Sequence, residues 1–506
     1  MSVNVKTAKR IGLFAAISVL ISSVIGVGIF FKNGAVFTNN NDNPIGVIIS
    51  WVLASIIALT TAFSFAEIGF NHRDGAGLAG ASEKMLGKKF GRFISFNANF
   101  FYLGIINVCI AVFAAEAIVN VFVDGSQDSL PIHIGWILVI ALCLLLVFLV
   151  LNYLSLKWSS RFQILSTFLK FIPLLMVGFA GLIYGIMNPE MSLFNDLTNS
   201  TDSGASKTIS INSILASLPA ILFAYDSFLG VATLQGEMDN PRKKVPLTIV
   251  LGMGICIAFY LFITIGQIMV SAGSAYGVFG KIFEDNPNAG KALRIVLSVF
   301  IMMCVLGTLN AFVLISLRGF AYTVQYRIVY GYWHLHKYGD NKLKVGLFIY
   351  LPVIMFWWIV LLIPSVIYNT DAFADGLSNF PTLFMFAVYG TIVLSGFINR
   401  FTKKVHVVKM PGFMIIAPIA VIGCYLAFGY QFFYFFSVNA FINPNSVVNW
   451  GLFAQGNFET KAYMASILFF VMLAVFVVVP LINDALLKQR YKKIDHQNIL
   501  RKELLI

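Results

Sequence analysis

Twelve apolar runs, each long enough to cross a bilayer core of about 30 Å, recur between Ile11 and Leu487 with no charged or Pro/Ser-rich linker between them. They occupy residues 11–37, 44–68, 92–122, 133–155, 160–187, 209–234, 247–273, 292–323, 345–367, 380–402, 411–438 and 461–486. Hydrocarbon offers no partner for a backbone N–H or C=O, so each run is expected to satisfy its own polar groups as a helix. With 59% hydrophobic and 11% charged residues, the chain holds too much oil for a soluble core, whose charged share is nearer a quarter. The same composition excludes collagen-like, disordered, coiled-coil and disulfide-stapled classes. The expectation is one polytopic all-α membrane protein with twelve transmembrane helices.

The net charge of +13 describes topology rather than nucleic-acid binding, because its carriers can be placed span by span. With the N-terminal tail on the cytoplasmic side, most of the 35 Lys and Arg fall in the tails and alternate loops on that side. Only Lys32, Lys207, Lys281, Lys291, Arg294 and Lys461 fall outside, and Lys170 lies within span five. The positive-inside rule then puts both termini in the cytoplasm. Acidic residues, among them Asp371 and Asp375, gather in the outer loops. The first apolar stretch is too long for a signal-peptide core and lacks an A-x-A site, so it is expected to be the first span. Cys109, Cys143, Cys256, Cys304 and Cys424 all lie in apolar runs without a CxxC pair, which suggests no disulfide framework, no metal site and no cofactor.

Spans one and six share an interruption. Span one carries Ser22-Ser23-Val24-Ile25-Gly26-Val27-Gly28, and span six carries Pro219 followed by Tyr225-Asp226-Ser227. Their separation is five spans, an odd number, so a second five-helix copy would start on the opposite side of the membrane and run inverted. Paired interrupted spans of this kind point to a transporter's binding site, although Gly and Pro are also ordinary packing residues in membrane helices. Unwinding at Ile25, Gly26, Val27 and Gly28 would free N–H groups at a half-helix end, where the dipole favours an anion such as a carboxylate. Carbonyls around Phe223, Ala224 and Tyr225 would accept from an ammonium. Together they would recognise an α-amino acid zwitterion. Close helix packing is the alternative reading of Gly26 and Gly28.

Two charges lie at mid-depth. Lys170 sits ten residues into span five, about 15 Å along the axis, farther than its stem can snorkel. Such a lysine usually faces protein or a cavity, either as a structural pair partner or in a functional role, as a fixed cation in place of a metal ion or as a proton carrier. Asp226 either lines the pathway or caps a broken half-helix. Glu67 and Glu116, near span ends, are expected to use interfacial solvation, and Trp51, Trp136, Trp158 and Trp357 to be interfacial or packing aromatics.

Phe223-Ala224-Tyr225-Asp226-Ser227-Phe228, followed by Leu234-Gln235-Gly236-Glu237-Met238-Asp239-Asn240-Pro241, resembles the sixth-span signature of the amino acid, polyamine and organocation (APC) superfamily, close to its L-amino acid transporter branch. Ile25-Gly26-Val27-Gly28-Ile29-Phe30 is similar to that family's first-span motif, Glu67-Ile68-Gly69 to its second, and Thr308-Leu309-Asn310 with Arg318 and Tyr322 to its eighth. Lys170 falls where sodium-independent members carry a fifth-span lysine. Val27 stands where the family usually has serine, Ser227-Phe228 where it has Gly-Trp, and Arg73-Asp74-Gly75-Ala76-Gly77 in place of a Pro-x-x-Gly-Gly loop.

The resemblance implies a leucine-transporter-type 5+5 inverted repeat with broken helices one and six. Residues 1–10 would be a cytoplasmic tail, 11–187 and 209–402 the two five-helix repeats, 411–486 helices eleven and twelve, and 487–506 a second cytoplasmic tail. It implies sodium-independent amino acid transport across the plasma membrane by proton symport or exchange, with Ile25, Gly26, Val27, Gly28, Phe223, Ala224, Tyr225 and Asp226 at the substrate and Lys170 in coupling. No heavy chain is expected, because residues 123–133 lack the linking cysteine. An amine, polyamine or cationic amino acid permease, with Asp226 gripping a second ammonium, is one alternative, and a non-transporting nutrient sensor another. No nucleophile, acid/base or metal-ligand cluster suggests an enzyme.

Overall fold

A computed structural model describes residues 12–69, 77–122, 132–195, 209–228, 241–336, 342–407, 409–446 and 461–503. Among them every regular element is helical, and ten helices are long and apolar enough to span a bilayer, or eleven if the bent pair Ala16–Phe31 and Asn33–Asn39 counts as one span. The remaining expected span, number six, is described as the 15-residue helix Ile211–Tyr225 and on to Phe228. Its continuation at residues 229–234, with the motif through Asn240, lies outside the described residues, as do residues 70–76.

Helix ends are set by local chemistry. Asn286 caps the helix Pro287–Gln325 by accepting from the Ala289 N–H at 3.3 Å, with Pro287 at the first position, where a missing N–H costs nothing. Ser210 accepts from the Asn212 N–H to start Ile211–Tyr225. Two spans overrun their apolar windows, one at its start and one at its end. Span ten is the helix Ala372–Thr402, so Asp375, expected in an outer loop, lies within a helix and is buried. Span twelve continues from Ala462 to Glu503, so a tail expected to start at residue 487 begins as helix.

Burial orders the bundle from centre to lipid. In span three, Lys88–Phe122, 78% of the most apolar window is buried, against 33% for spans nine, eleven and twelve. Span three packs along span eight, and buried amides tie the two together: Asn107 donates to the Ser316 hydroxyl at 2.7 Å. A second polar knot joins spans four, five and eight, where Asn152 and Ser159 both donate to the Asn310 side-chain carbonyl at 3.0 Å. Such bonds lock helices in register where apolar packing against lipid gives little preference.

Two acidic residues correct the expectation of interfacial solvation. Glu67 is 1% exposed and accepts from Arg400 at 2.6 Å and from the Met410 N–H at 2.7 Å. Glu116 is buried as well. Trp136 and Trp158 are exposed on the bundle's outer surface, whereas Trp51 and Trp357 are packed inside.

Candidate functional site

Span one is helical from Leu13 to Val24, loses its helix over Ile25, Gly26 and Val27, and resumes at Gly28. Ile25 is extended, with φ −70° and ψ 107°, and the N–H groups of Val27 and Gly28 have no backbone acceptor among the described residues. These are the donors that a half-helix start leaves open. Span six ends its helix at Tyr225, with Asp226 extended and Ser227 at φ +77°.

The two breaks meet. A Cβ added at Gly28 would lie 2.3 Å from the Ala224 Cα, so only glycine lets the chains come this close. The packing and unwinding readings of this glycine therefore coincide. The Tyr260 hydroxyl, from span seven, stands 2.9 Å from the Val24 carbonyl and 3.1 Å from the Ala224 carbonyl. Its single proton is shared between the ends of the two half-helices, so the Ala224 carbonyl is already within reach of a protein donor.

A cavity opens beside this crossing, roughly 340 Å³ of space between atoms including its mouth. Gly26, Val27 and Gly28 of span one and Phe223, Ala224 and Asp226 of span six form one wall. Tyr102, Ile106 and Ile110 of span three face them, with Thr308 and Phe312 of span eight. Ile25 is fully buried and Tyr225 points elsewhere, its hydroxyl 2.8 Å from that of Ser55 and its ring against Trp51 and Tyr260. The structure thus brings together six of the eight residues expected at a substrate.

Asp226 faces the cavity with both oxygens engaged. Oδ1 accepts from the Ser227 N–H at 2.8 Å, and Oδ2 accepts from the Tyr102 hydroxyl at 2.5 Å and from Thr382 at 3.5 Å. It caps the broken end of span six and lines the cavity at once. Tyr102 reaches it from a π-helical stretch, Asn97–Leu103, in span three. A widened turn of this kind re-aims the residues after it.

Lys170 sits between the helices Leu156–Leu169 and Phe171–Met187 and is 1% exposed. Its ammonium donates to the Ser22 carbonyl at 2.7 Å and to the Thr308 hydroxyl at 3.3 Å. No ion pair involves it among the described residues. It lies behind the cavity wall, and Thr308 connects the two: a Cβ at Gly26 would lie 2.8 Å from the same hydroxyl. No group of three or more metal-ligating side chains occurs among the described residues.

Sequence reasoning missed Tyr102 and Tyr260. A tyrosine in an apolar run is common, and neither the π turn nor the approach of span seven to both breaks has a one-dimensional signature.

Comparison with known proteins accords with this geometry. The family described as amino acid permease matches residues 11–456. The serine/threonine exchanger SteT of Bacillus subtilis is 28% identical over 60% of this chain and 66% of its own length. The human cystine/glutamate transporter is 24% identical over 53% of this chain and 50% of its own. The cadaverine/lysine antiporter of Escherichia coli is 25% identical over 55% and 60%. The chain thus spans between half and two thirds of the length of these relatives, which are transporters and not enzymes. With a family match over most of its length and two interrupted spans meeting at a cavity, the chain belongs to the amino acid permease family of the APC superfamily.

Proposed function

We propose that the protein moves neutral amino acids across the plasma membrane by sodium-independent exchange, through twelve spans arranged as a 5+5 inverted repeat with both termini cytoplasmic. The observation that carries this reading is the meeting of the two helix breaks on one cavity, with the Val27 and Gly28 N–H groups open. A substrate carboxylate would dock on these donors at the positive end of the resumed half-helix, and its ammonium near the Phe223 carbonyl. Ile106, Ile110 and Phe312 would take an apolar or small side chain.

Exchange is preferred to proton symport because the compared relatives include an exchanger and an antiporter by name. Neutral substrates are preferred to diamines because Asp226 already has donors on both oxygens. A second ammonium there would have to displace Tyr102 or compete with it.

The test is counterflow in proteoliposomes loaded in turn with each of the twenty amino acids and with putrescine, with and without a pH gradient. Uptake of labelled neutral amino acid that requires internal amino acid, and is unaffected by replacing sodium with choline, is the expected outcome. Uptake into empty vesicles driven by the pH gradient would move the assignment to symport, and preference for putrescine or arginine would move it to the amine reading.

A further inference from the structure

Spans eleven and twelve lie outside the two proposed repeats, and their partners divide them. Span eleven, Phe413–Ile442, is keyed to span two along its first half. A Cβ at Gly423 would lie 2.6 Å from Ile57 Cγ1, so the two helices meet where only a small residue fits. One residue on, Cys424 Sγ stands 3.3 Å from the Thr61 hydroxyl. Glu67, in a motif that the cavity leaves unused, closes the end of this seam. Its Oε2 accepts from the Met410 N–H at 2.7 Å and from Arg400 at 2.6 Å, and Arg400 also donates to the Met410 carbonyl at 2.9 Å. Because Oε1 has no donor among the described residues, drawing Met410 away would strip a buried carboxylate of a bond that nothing replaces. Farther along, Gln431 is fully buried and donates to the Leu215 carbonyl of span six at 3.0 Å. Leu215 lies on the helix that ends at the Asp226 break.

Span twelve has other partners. Arg92, near the start of span three, pairs with Asp484 at 2.6 Å, and the rings of Phe101 and Phe476 stack 4.7 Å apart. Asn483 accepts from the Tyr330 N–H and donates to the Ile328 carbonyl, both at 2.8 Å, just past the end of span eight. Between spans eleven and twelve, the hydrogen bonds and ring contacts among the described residues fall at Phe428 or later. Phe428 and Phe435 meet Phe469, Phe432 and Phe436 meet Phe470, and the Ser466 hydroxyl donates to the Phe435 carbonyl at 2.8 Å. That end of span eleven is π-helical from Tyr434 to Ile442, and π turns are places where helices bend. The buried side-chain nitrogen of Asn439 within it has no acceptor among the described residues.

We infer that spans two, six and eleven move as one body in the transport cycle, and that the stretch Tyr434–Ile442 is the joint on which the first half of span eleven swings against span twelve, which stays with span three. The movement rests on the transport reading, whereas the division of the helices rests on their contacts.

The experiment measures distances between paired spin labels by pulsed electron paramagnetic resonance, on the full-length protein in liposomes. The exposed Cys143 is replaced by serine, and the other four cysteines are buried. Ile415 on span eleven, Ile56 on span two and Ile482 on span twelve are all exposed, so Ile415→Cys is paired once with Ile482→Cys and once with Ile56→Cys. On addition of saturating serine, the 415–482 separation should shift or split by about 5 Å, while the 415–56 separation stays single and unchanged. Thr61→Cys, oxidised onto the native Cys424, should keep the counterflow of its reduced form. A fixed, single 415–482 distance, a matching shift between 415 and 56, or a loss of counterflow on oxidation that a reductant restores would each overturn the inference. Absence of serine counterflow in the unlabelled protein counts against the transport reading instead. The joint then stands if the ligand-free 415–482 distribution is broader than the 415–56 one, and falls if it is not.

Discussion

Ser227 is the residue at which this chain departs most plainly from easy backbone geometry. Its φ of +77° lies in the left-handed region, which costs a side-chain-bearing residue on the order of 1 kcal/mol relative to glycine. Of the other described non-glycine positions with positive φ, Asn41, Asp42 and Asn369 are of the types that tolerate it best, while Ser271, Arg327 and Lys403 have φ of 50°, 55° and 52°, smaller than at Ser227. Serine at 227 is kept in place by its surroundings: its N–H donates to Asp226 Oδ1 at 2.8 Å, and Asp226 is held in turn by Tyr102. Ser227→Gly should therefore raise the thermal midpoint in detergent by a stabilisation of about 1 kcal/mol, with counterflow retained. Ser227→Ala keeps the strain and should give no such gain. Equal midpoints for the glycine and alanine variants would show that the backbone there relaxes freely.

At the scale of elements, the decisive contact is that of two half-helices across Gly28 and Ala224. Gly26 and Gly28 look alike in sequence and differ in what faces them. A Cβ at Gly28 meets backbone, at 2.3 Å from the Ala224 Cα, whereas a Cβ at Gly26 meets the rotatable Thr308 hydroxyl at 2.8 Å. Overpacking against backbone typically costs about 1–3 kcal/mol. Gly28→Ala should abolish counterflow while the protein still inserts, because the two breaks are forced apart. Gly26→Ala should be milder, impairing transport only so far as Thr308 turns away from Lys170. Similar loss in both variants, measured at matched amounts of inserted protein, would contradict this distinction. Span ten shows how element boundaries depend on partners: Asp371, Asp375, Ser378 and Asn379 lower its hydropathy, so its apolar window starts at residue 380, yet Lys32 pairs with Asp375 and the helix begins at Ala372.

For the whole molecule, Lys170 is the residue that joins distant parts of the chain. Its ammonium bridges the carbonyl of Ser22 in span one and the hydroxyl of Thr308 in span eight from its own place in span five. A fixed cation at that junction would make a bound sodium ion unnecessary. Lys170→Ala removes the charge and both hydrogen bonds. Counterflow should then fall far more than the amount of inserted protein, and the wild type should transport equally in sodium and choline buffers. Strict sodium dependence of the wild type, or full activity of Lys170→Ala, would reduce the lysine to a packing partner.

Length, hydropathy and the placement of Lys and Arg were enough to read a polytopic helical chain, because a bilayer forces each backbone group to be satisfied within its own segment and so makes span prediction a one-dimensional problem. The helix ends at Val24 and Tyr225 fall beside the glycines and the mid-depth charge that disturb otherwise apolar runs. What could not be read was which distant side chains complete the site. Tyr260 shared between the Val24 and Ala224 carbonyls, Tyr102 bound to Asp226, and Lys32 buried against Asp375 all join residues more than thirty positions apart. Sequence determined the all-helical, multi-pass character of the chain; tertiary structure alone decided the partners, because the cost of burying a hydroxyl, an ammonium or a carboxylate is met only by whatever the packed bundle brings within hydrogen-bond distance.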